Sequence, residues 1–231
     1  MLWSTLVPGV FCKRDNRFRA TVEVDGIETW AHVPNSGRLG ELFLPERPVW
    51  LVPAARPGRI TDYDLVLVAH ERTLVSVDAR LPNTLLTEAI ANDSLFGDYQ
   101  TIEREITHGH SRLDLRLTGM NGPLWIETKS VTLVEGDTAL FPDAPTSRGR
   151  RHLDELASIA TAGDKTAIVF VVQRADAEQL RPYHENDEAF AISLSNAHRA
   201  GVEVRAYTCQ VTLDGICIAR PIPVHLYRKD E

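Results

Sequence analysis

Apolar and polar residues alternate in short runs over the first third of the chain. Five such runs are separated by Pro and Gly turn residues: RFRATVEVDG, IETWAHV, PVWLVPAA, YDLVLVA and TLVSVD. A period of two predicts strands with one buried face, and closely spaced strands are typical of a small barrel or sandwich. We interpret the apolar opening, MLWSTLVPGVFCKRD, as the first strand. The pattern therefore predicts a β domain over residues 1–80.

Helical spacing appears in LPNTLLTEAIAND, after which helices and strands mix. Asn83 or Thr84 is placed to cap this first helix. The following elements are strands near residues 112–118 and 124–131, a helix near 147–162, the apolar strand AIVFVVQ, a helix near 186–200 and the strand VEVRAYT. A strand that is apolar throughout is expected to be covered on both faces of its sheet. We therefore predict an α/β domain over residues 81–231.

The run SRLDLRLTG alternates between leucines and polar residues, so Leu113, Leu115 and Leu117 are predicted on one face of a strand. The turn sequence TGMNGP separates it from LWIETKSVTL, and the two runs predict a hairpin. Opposed residues of an antiparallel pair have a constant index sum.

A turn centred between Met120 and Asn121 sets that sum at 241, which puts Asp114 opposite Glu127. Lys129 follows two residues later on the same face as Glu127. The hairpin register therefore predicts that two carboxylates and an ammonium group meet.

Two adjacent carboxylates repel each other unless a cation offsets their charge. Mg²⁺ or Mn²⁺ accepts such oxygens together with water and phosphate, and the carbonyl of Thr128 would supply another ligand. Lys129 would orient or deprotonate the attacking water. Asp114, Glu127 and Lys129 thus suit phosphodiester hydrolysis, although the same residues also fit a surface ion pair across a hairpin.

Other charged residues extend this candidate site. Glu88 lies on the helix before the two strands and would add a carboxylate, or it is an ordinary exposed helix charge. Thr146 or Ser147 is placed to cap the helix that follows, and Arg148 and His152 share one face near its positive end. Phosphate binds readily at such a helix start, whereas a solvated start with ordinary basic residues is the alternative.

Composition limits the functional classes. The 231 residues are 43 % hydrophobic and have a net charge of −7, which does not indicate nucleic-acid binding by itself. Basic residues concentrate in KRDNRFRA, which either meets phosphates or protects a strand edge. Three cysteines without metal-site spacing predict a reducing, cytoplasmic compartment. No apolar run approaches the roughly 20 residues that cross a bilayer, so no membrane partner is expected.

The assembled motifs resemble the sugar fermentation stimulation protein A family. The likeness is carried by PNSGRL, LTEAI, RLDL, IETKSVTL, FPDAPTSRGRRHLDEL and AIVFVVQR, which span most of the chain in matching order. The resemblance implies an α/β protein with an N-terminal OB-fold-like β-barrel and a C-terminal restriction-endonuclease-like domain of the PD-(D/E)-x-K type. It also implies DNA binding and a link to the regulation of sugar-utilisation genes.

Carried over by position, the resemblance implies that Asp114, Glu127 and Lys129 form the nuclease motif and that Glu88 is its helical carboxylate. The residues expected to contact nucleic acid are Lys13, Arg14, Arg17, Arg38, Arg148 and His152. Leu113 stands where the motif's name has a proline, and residues 56–68 are poorer in Lys and Trp than the family pattern.

These observations favour a DNA-binding protein with a nuclease-like site that uses Mg²⁺ or Mn²⁺. The rival interpretation is a non-catalytic DNA-binding transcriptional regulator of sugar-utilisation genes that keeps a nuclease fold. A third is an enzyme that acts on a small sugar or phosphate metabolite. The sequence leaves open whether the site is active, whether RNA replaces DNA and whether the protein forms a homodimer.

Overall fold

The computed structural model describes residues 1–54, 56–92, 95–97, 99–109, 111–120 and 122–228. The first part of the chain contains β1 (Val7–Asn16), β2 (Arg19–Val24), β3 (Ile27–His32), β4 (Pro48–Pro53), β5 (Tyr63–His70) and β6 (Thr73–Ser76). The second part contains α1 (Leu81–Ala91), β7 (Thr101–His108), β8 (Ser111–Gly119), β9 (Gly122–Val131), β10 (Val134–Glu135), β11 (Thr138–Phe141), α2 (Ser147–Thr161), β12 (Lys165–Val172), β13 (Gln179–Pro182), α3 (His184–Arg199), β14 (Glu203–Val211) and β15 (Ile216–Ile222). Within the described ranges, no helix is both long and apolar enough to cross a membrane.

Strands β1–β6 form one sheet in the order β3-β2-β1-β4-β5-β6. A parallel pairing of β3 with β5, at Ala31↔Tyr63, closes β1–β5 into a barrel. Inward-facing residues such as Phe11, Val22 and Leu51 are fully buried, because alternate residues of each strand point to the barrel interior. The barrel confirms the β domain predicted from the alternating runs.

The second sheet has the order β15-β14-β12-β9-β8-β7, in which β9, β12 and β14 run parallel. Ile168 and Phe170 of β12 pack with residues of α2 and α3, whereas Val169 and Val171 pack with residues of α1 on the other face. The expected burial of the AIVFVVQ strand on both faces is therefore confirmed. A smaller sheet has three strands in the order β10-β11-β13.

The hairpin of β8 and β9 has the predicted register. Gly119 pairs with Gly122 and Leu115 pairs with Ile126, which is the index sum of 241. Asn121, half of the predicted turn centre, lies outside the described residues. The recorded pairs end at Leu115↔Ile126, so the two strands separate beyond that point.

The predicted alternation along β8 breaks at Asp114. Leu115 lies in the apolar cluster that includes α1, as expected, but Leu113 lies in the opposite cluster with Trp125. The neighbouring strand is irregular at the same level, where Glu105 has a φ of 55°. A local irregularity of this kind turns successive side chains to new directions, so the assignment of Leu113 to the same face as Leu115 is wrong.

The helix starts agree only in part with the predicted caps. Thr146 Oγ1 accepts a hydrogen bond from Gly149 N at 3.0 Å, which confirms one of the two caps considered for α2. In contrast, α1 already begins at Leu81 with a proline in its first turn. The expectation that Asn83 or Thr84 caps α1 is wrong, because proline favours the first turn of a helix and moves the start upstream.

Two loops join the barrel to the second domain. The backbone N of Arg38 donates to Asp143 Oδ2 at 2.8 Å. Asn35 shapes the barrel loop, since its Oδ1 accepts from Gly37 N at 2.8 Å and its Nδ2 donates to Val77 O at 3.0 Å. The PNSGRL and FPDAPTSRG motifs therefore meet at the junction of the domains.

A second contact between the domains is buried. Gln173, directly after β12, is fully buried, and its Nε2 donates to Asp78 O at 3.1 Å and to Ser130 Oγ at 2.9 Å. Its Oε1 accepts from Ser76 Oγ at 3.1 Å. A buried amide whose donors and acceptor are all paired holds the two domains in one relative orientation.

We expect Gly37→Ala to loosen this junction. A Cβ at residue 37 would stand 2.5 Å from Asp143 Oδ2 and 3.0 Å from Asn35 Oδ1, so the carboxylate that holds Arg38 must move. The free energy of unfolding should fall by about 1–3 kcal/mol, measured by urea denaturation. Gly40→Ala is the matched control, because a Cβ there meets nothing within 4 Å. Equal losses for the two variants would contradict this account of the junction.

Candidate active site

The open end of the β8–β9 pair holds Asp114. Its Oδ2 accepts hydrogen bonds from Thr128 N at 2.8 Å and from Thr128 Oγ1 at 2.7 Å. The side chain thus replaces the strand-to-strand bonds that end at Leu115↔Ile126. Burial and the negative charge of Glu127 raise the pKa of Asp114, although the bonds from Thr128 and the charge of Lys129 act against them.

Glu127 lies deeper, with 3 % of its surface exposed. Its Oε1 accepts from Lys129 Nζ at 2.5 Å and from His152 Nδ1. Burial by itself would raise the pKa of Glu127, but the Lys129 charge and the His152 hydrogen bond outweigh burial and lower it. Among the described residues, Glu127 Oε2 is buried and has no hydrogen-bond partner.

His152 connects this carboxylate to the start of α2. Its Nε2 lies 3.4 Å from Arg148 Nε, while its Nδ1 faces Glu127. Because a guanidinium group only donates, the ring accepts at Nε2 and carries its proton on Nδ1 in this arrangement. The Arg148 side chain is exposed to solvent. Asp187 stabilises the start of α2, since its Oδ2 accepts a hydrogen bond from Thr146 N at 2.8 Å.

A cleft of about 450 Å³ opens between the two domains at this point. Arg17 of the barrel, Thr128 and Lys129 of β9, Arg148 of α2 and the loop 141–146 line it. Positive side chains from both domains therefore face one cavity whose wall includes the strand that carries Glu127. The structure brings Asp114, Glu127, Thr128, Lys129, Arg148 and His152 together with Arg17.

Glu88 lies elsewhere. Its Oε2 accepts from the Met1 amine at 2.7 Å, and that amine also donates to Ile216 O at the start of β15. β15 is four strands away from β8 in the sheet, about 19 Å. Glu88 is therefore not in position to share an ion with Asp114, and the described residues contain no group of three or more His, Cys, Asp and Glu that could hold a metal.

Arg14 has a structural contact set. Its guanidinium donates to backbone carbonyls of Arg17 at 2.7 Å, Asn35 at 3.2 Å, Gly37 at 2.8 Å and Arg38. These bonds hold the loop that meets the second domain, and they occupy both terminal nitrogens of the guanidinium group, while its Nε is buried. The expectation that Arg14 contacts nucleic acid is corrected for this reason.

The remaining basic residues differ in position. Lys13 is exposed on the outer face of the barrel, beside Trp30 rather than in the cleft. Arg38 is exposed next to Gly37, a residue of the cleft wall. Arg17 is the member of the KRDNRFRA cluster that lines the cleft.

Asn83 is a residue that the sequence pattern assigned only to capping. Its Nδ2 donates to Asp114 O at 3.5 Å, so the first turn of α1 touches the strand of the site. Its Oδ1 is buried and lacks a hydrogen-bond partner within the described part of the chain. An Asn near a helix start is usually interpreted as a cap, and only the position of α1 against β8 reveals this second contact.

The opposite pKa shifts predict opposite effects of removing each charge. A folded-state pKa above the ordinary value means that ionised Asp114 costs stability. This cost grows as the pH rises from the ordinary carboxyl pKa to the raised folded-state pKa, and it is fully present above that pKa. Asp114→Asn should therefore raise the free energy of unfolding at neutral pH in EDTA.

Glu127 is the matched comparison. Its lowered pKa contributes stability above the ordinary carboxyl pKa and loses it as the pH falls through the folded-state value. Glu127→Gln should therefore lower the free energy of unfolding at neutral pH, on the order of 3 kcal/mol, because it leaves Lys129 without its buried partner. Urea denaturation at about pH 4 and about pH 7 tests both signs. Changes of the same sign at neutral pH would contradict the assignment.

Comparison with known proteins identifies both domains. A family model described as the sugar fermentation stimulation protein RE domain matches residues 80–215, and one described as the SfsA N-terminal OB domain matches residues 12–77. These matches confirm the predicted fold class, an OB-fold-like barrel followed by a restriction-endonuclease-like α/β domain.

Curated relatives carry the same family name. A sugar fermentation stimulation protein homolog of Natranaerobius thermophilus is 45 % identical, covering 98 % of this chain and 97 % of the relative. A homolog of Moorella thermoacetica is 42 % identical, covering 96 % and 98 %. The solved structure of Pyrococcus furiosus SfsA in complex with Ca²⁺ is 33 % identical, with a TM-score of 0.91 over 98 % of both chains. The chain belongs to the sugar fermentation stimulation protein family.

Proposed function

We propose that this protein binds DNA and hydrolyses phosphodiester bonds at a divalent-metal site. Asp114, Glu127 and the carbonyl oxygen of Thr128 are the proposed ligands of Mg²⁺ or Mn²⁺. One observation carries the proposal: the buried Glu127 Oε2 has no partner in the described residues, and it lies beside a second carboxylate whose pKa is raised. Two such groups cost free energy unless a cation joins them.

The donors suit a hard divalent cation. Carboxylate and carbonyl oxygens are its preferred ligands, and Asp114, Glu127 and Thr128 supply both kinds. The Pyrococcus furiosus relative was solved in complex with Ca²⁺, a cation with the same oxygen preference, which supports this choice. When bound, such a cation polarises the phosphate and activates a water molecule.

The protein's own groups have separate roles. The Lys129 ammonium, on the wall of the cleft, is proposed to hold the attacking water and to offset the negative charge that develops on the phosphate. His152 holds Glu127 through Oε1, so Oε2 stays available to a ligand. Arg148 and Arg17 approach the cleft from opposite domains and are proposed to bind phosphates on either side of the cleaved bond.

Titration with Mn²⁺ and a cleavage assay test the site. Asp114→Asn should weaken Mn²⁺ binding more than about tenfold, measured calorimetrically, because it removes one of two charged ligands. Cleavage of DNA should fall at least about a hundredfold while DNA affinity without metal is kept. Glu88→Gln is the matched carboxylate control and should leave both properties unchanged. Wild-type Mn²⁺ affinity in the Asp114 variant would refute the metal site.

A second candidate is a non-catalytic DNA-binding regulator of sugar-utilisation genes. It is favoured by the contacts of Lys129 and His152, which both donate to Glu127 Oε1 and so offset its charge with the protein's own groups. Under this alternative the wild-type protein binds DNA but does not cut it with either Mg²⁺ or Mn²⁺.

Salt dependence tests the two arginines that line the cleft. Arg17→Ala and Arg148→Ala should each weaken DNA binding and reduce the slope of log affinity against log salt by about one, because each removes one phosphate contact. Arg72→Ala, an exposed arginine on the turn between β5 and β6, is the control and should change neither quantity. Binding assays over a range of salt concentrations measure the slopes, and equal slopes for all variants would contradict the proposed contacts.

A further inference from the structure

One outer face of the barrel keeps its aromatic side chains exposed. Phe18, in the turn between β1 and β2, is 49 % exposed, and Trp30 on β3 is 44 % exposed. Between them lies His32, whose ring centroid is 6.4 Å from that of Phe18 with an interplanar angle of 28°. His32 and Trp30 are two residues apart on one strand, so they share a face and are spaced by about 7 Å. Phe18, His32 and Trp30 therefore form a row, which we call the aromatic row.

The aromatic row begins next in the chain to a residue of the cleft wall. Arg17 precedes Phe18 in the chain and lines the cleft together with Lys129 and Arg148. The row consequently leads from the proposed hydrolytic site along the outside of β2 and β3.

Charged side chains of both signs surround Trp30. The guanidinium carbon of Arg19 lies 4.4 Å from the Trp30 ring centroid, and Lys13 lines the same surface cavity as Trp30. Asp15 is engaged by Arg19 at 3.5 Å and by Thr21. The carboxylates of Asp15, Glu28 and Asp62 line this cavity as well, so the stacking surface rather than net charge distinguishes the row.

We infer that the aromatic row binds a single-stranded segment of nucleic acid and leads it to the cleft. This inference rests on the proposed function and names the substrate class, a strand with unpaired bases. Exposed rings and guanidinium planes stack on the faces of bases, which a duplex keeps covered by its own base pairs. The β2–β3 face is also the one that OB folds generally use for oligonucleotides.

The depth of the site agrees with a single strand. Glu127 is 3 % exposed, so the phosphate that reacts must enter the cleft of about 450 Å³ rather than lie across a flat surface. One flexible strand enters such a recess more readily than a duplex with two paired backbones. The shortage of Lys and Trp in residues 56–68 does not affect the stacking groups, because they lie outside that segment.

The test is binding of labelled oligonucleotides to the full chain in EDTA, followed by fluorescence anisotropy. The probes are oligothymidine and oligouridine of about 15 nucleotides and a blunt DNA duplex of equal length. Phe18→Ala and Trp30→Ala should each weaken single-strand binding about tenfold, since each removes one stacking partner, with little effect on the duplex. Trp30→Phe keeps a ring and should retain most of the affinity. The two single-stranded probes distinguish DNA from RNA as the source of the strand.

Leu213→Ala is the matched control, because Leu213 is also 49 % exposed but lies between β14 and β15. It should bind every probe as the wild type does, and thermal melting should show that all variants are folded. Single-strand affinity that is unchanged in both alanine variants, or wild-type binding that is no tighter for single strands than for the duplex, overturns the inference.

Failure of the hydrolytic proposal has a different signature. Aromatic-dependent binding of single strands in EDTA, without cleavage on addition of Mn²⁺, keeps the row and refutes hydrolysis. Cleavage that is lost in Asp114→Asn but unaffected by Phe18→Ala and Trp30→Ala keeps hydrolysis and refutes the row.

Discussion

The buried charge of Glu127 is the constraint around which the second domain is arranged. A carboxylate that is 3 % exposed requires partners, because an unpaired buried charge costs several kcal/mol. Lys129 comes from the same strand, but His152 comes from α2, so pairing the charge also fixes the helix against β9. Arg148 and one wall of the cleft follow from that helix position.

The separation of β8 and β9 complements this constraint. A continuous ladder would pair the backbone groups near Thr128 with β8, whereas the β8–β9 ladder ends at Leu115↔Ile126. Asp114 offsets part of the loss by accepting from both Thr128 N and Thr128 Oγ1. A sheet that opens in this way concentrates oxygen atoms at one place, which is what the proposed cation site needs. The strands lose regularity at this point: Leu113 faces the cluster opposite to that of Leu115, and Glu105 has a positive φ.

The barrel contributes to the same cleft because the two domains are locked together. Asp143 accepts a hydrogen bond from the backbone N of Arg38, in the 35–39 loop. The buried Gln173 joins the end of β6 to the end of β12. Arg14 stabilises that loop from within the barrel, which leaves Arg17 to face the cavity. Of these two neighbouring basic residues, one therefore stabilises the loop and the other faces the cleft. The barrel supplies one wall of the cleft and also carries the exposed rings of Phe18 and Trp30.

The sequence by itself determined the features that depend on local order. The period of two predicted the barrel strands, the turn TGMNGP set the index sum of the β8–β9 hairpin, and Thr146 was one of two predicted caps for α2. These follow from strand geometry, turn chemistry and backbone hydrogen bonding over a few residues. They were sufficient to bring Asp114 and Glu127 close enough for their charges to interact.

Only the tertiary structure decided which side chains share a site. Glu88 has a suitable charge and helix, yet it pairs with the Met1 amine near β15. Asn83, five residues earlier, contacts the backbone carbonyl of Asp114 instead. Periodicity gives the face of a helix but not the point at which that helix crosses the sheet, because the crossing is set by the packing of its apolar face on all the strands beneath it.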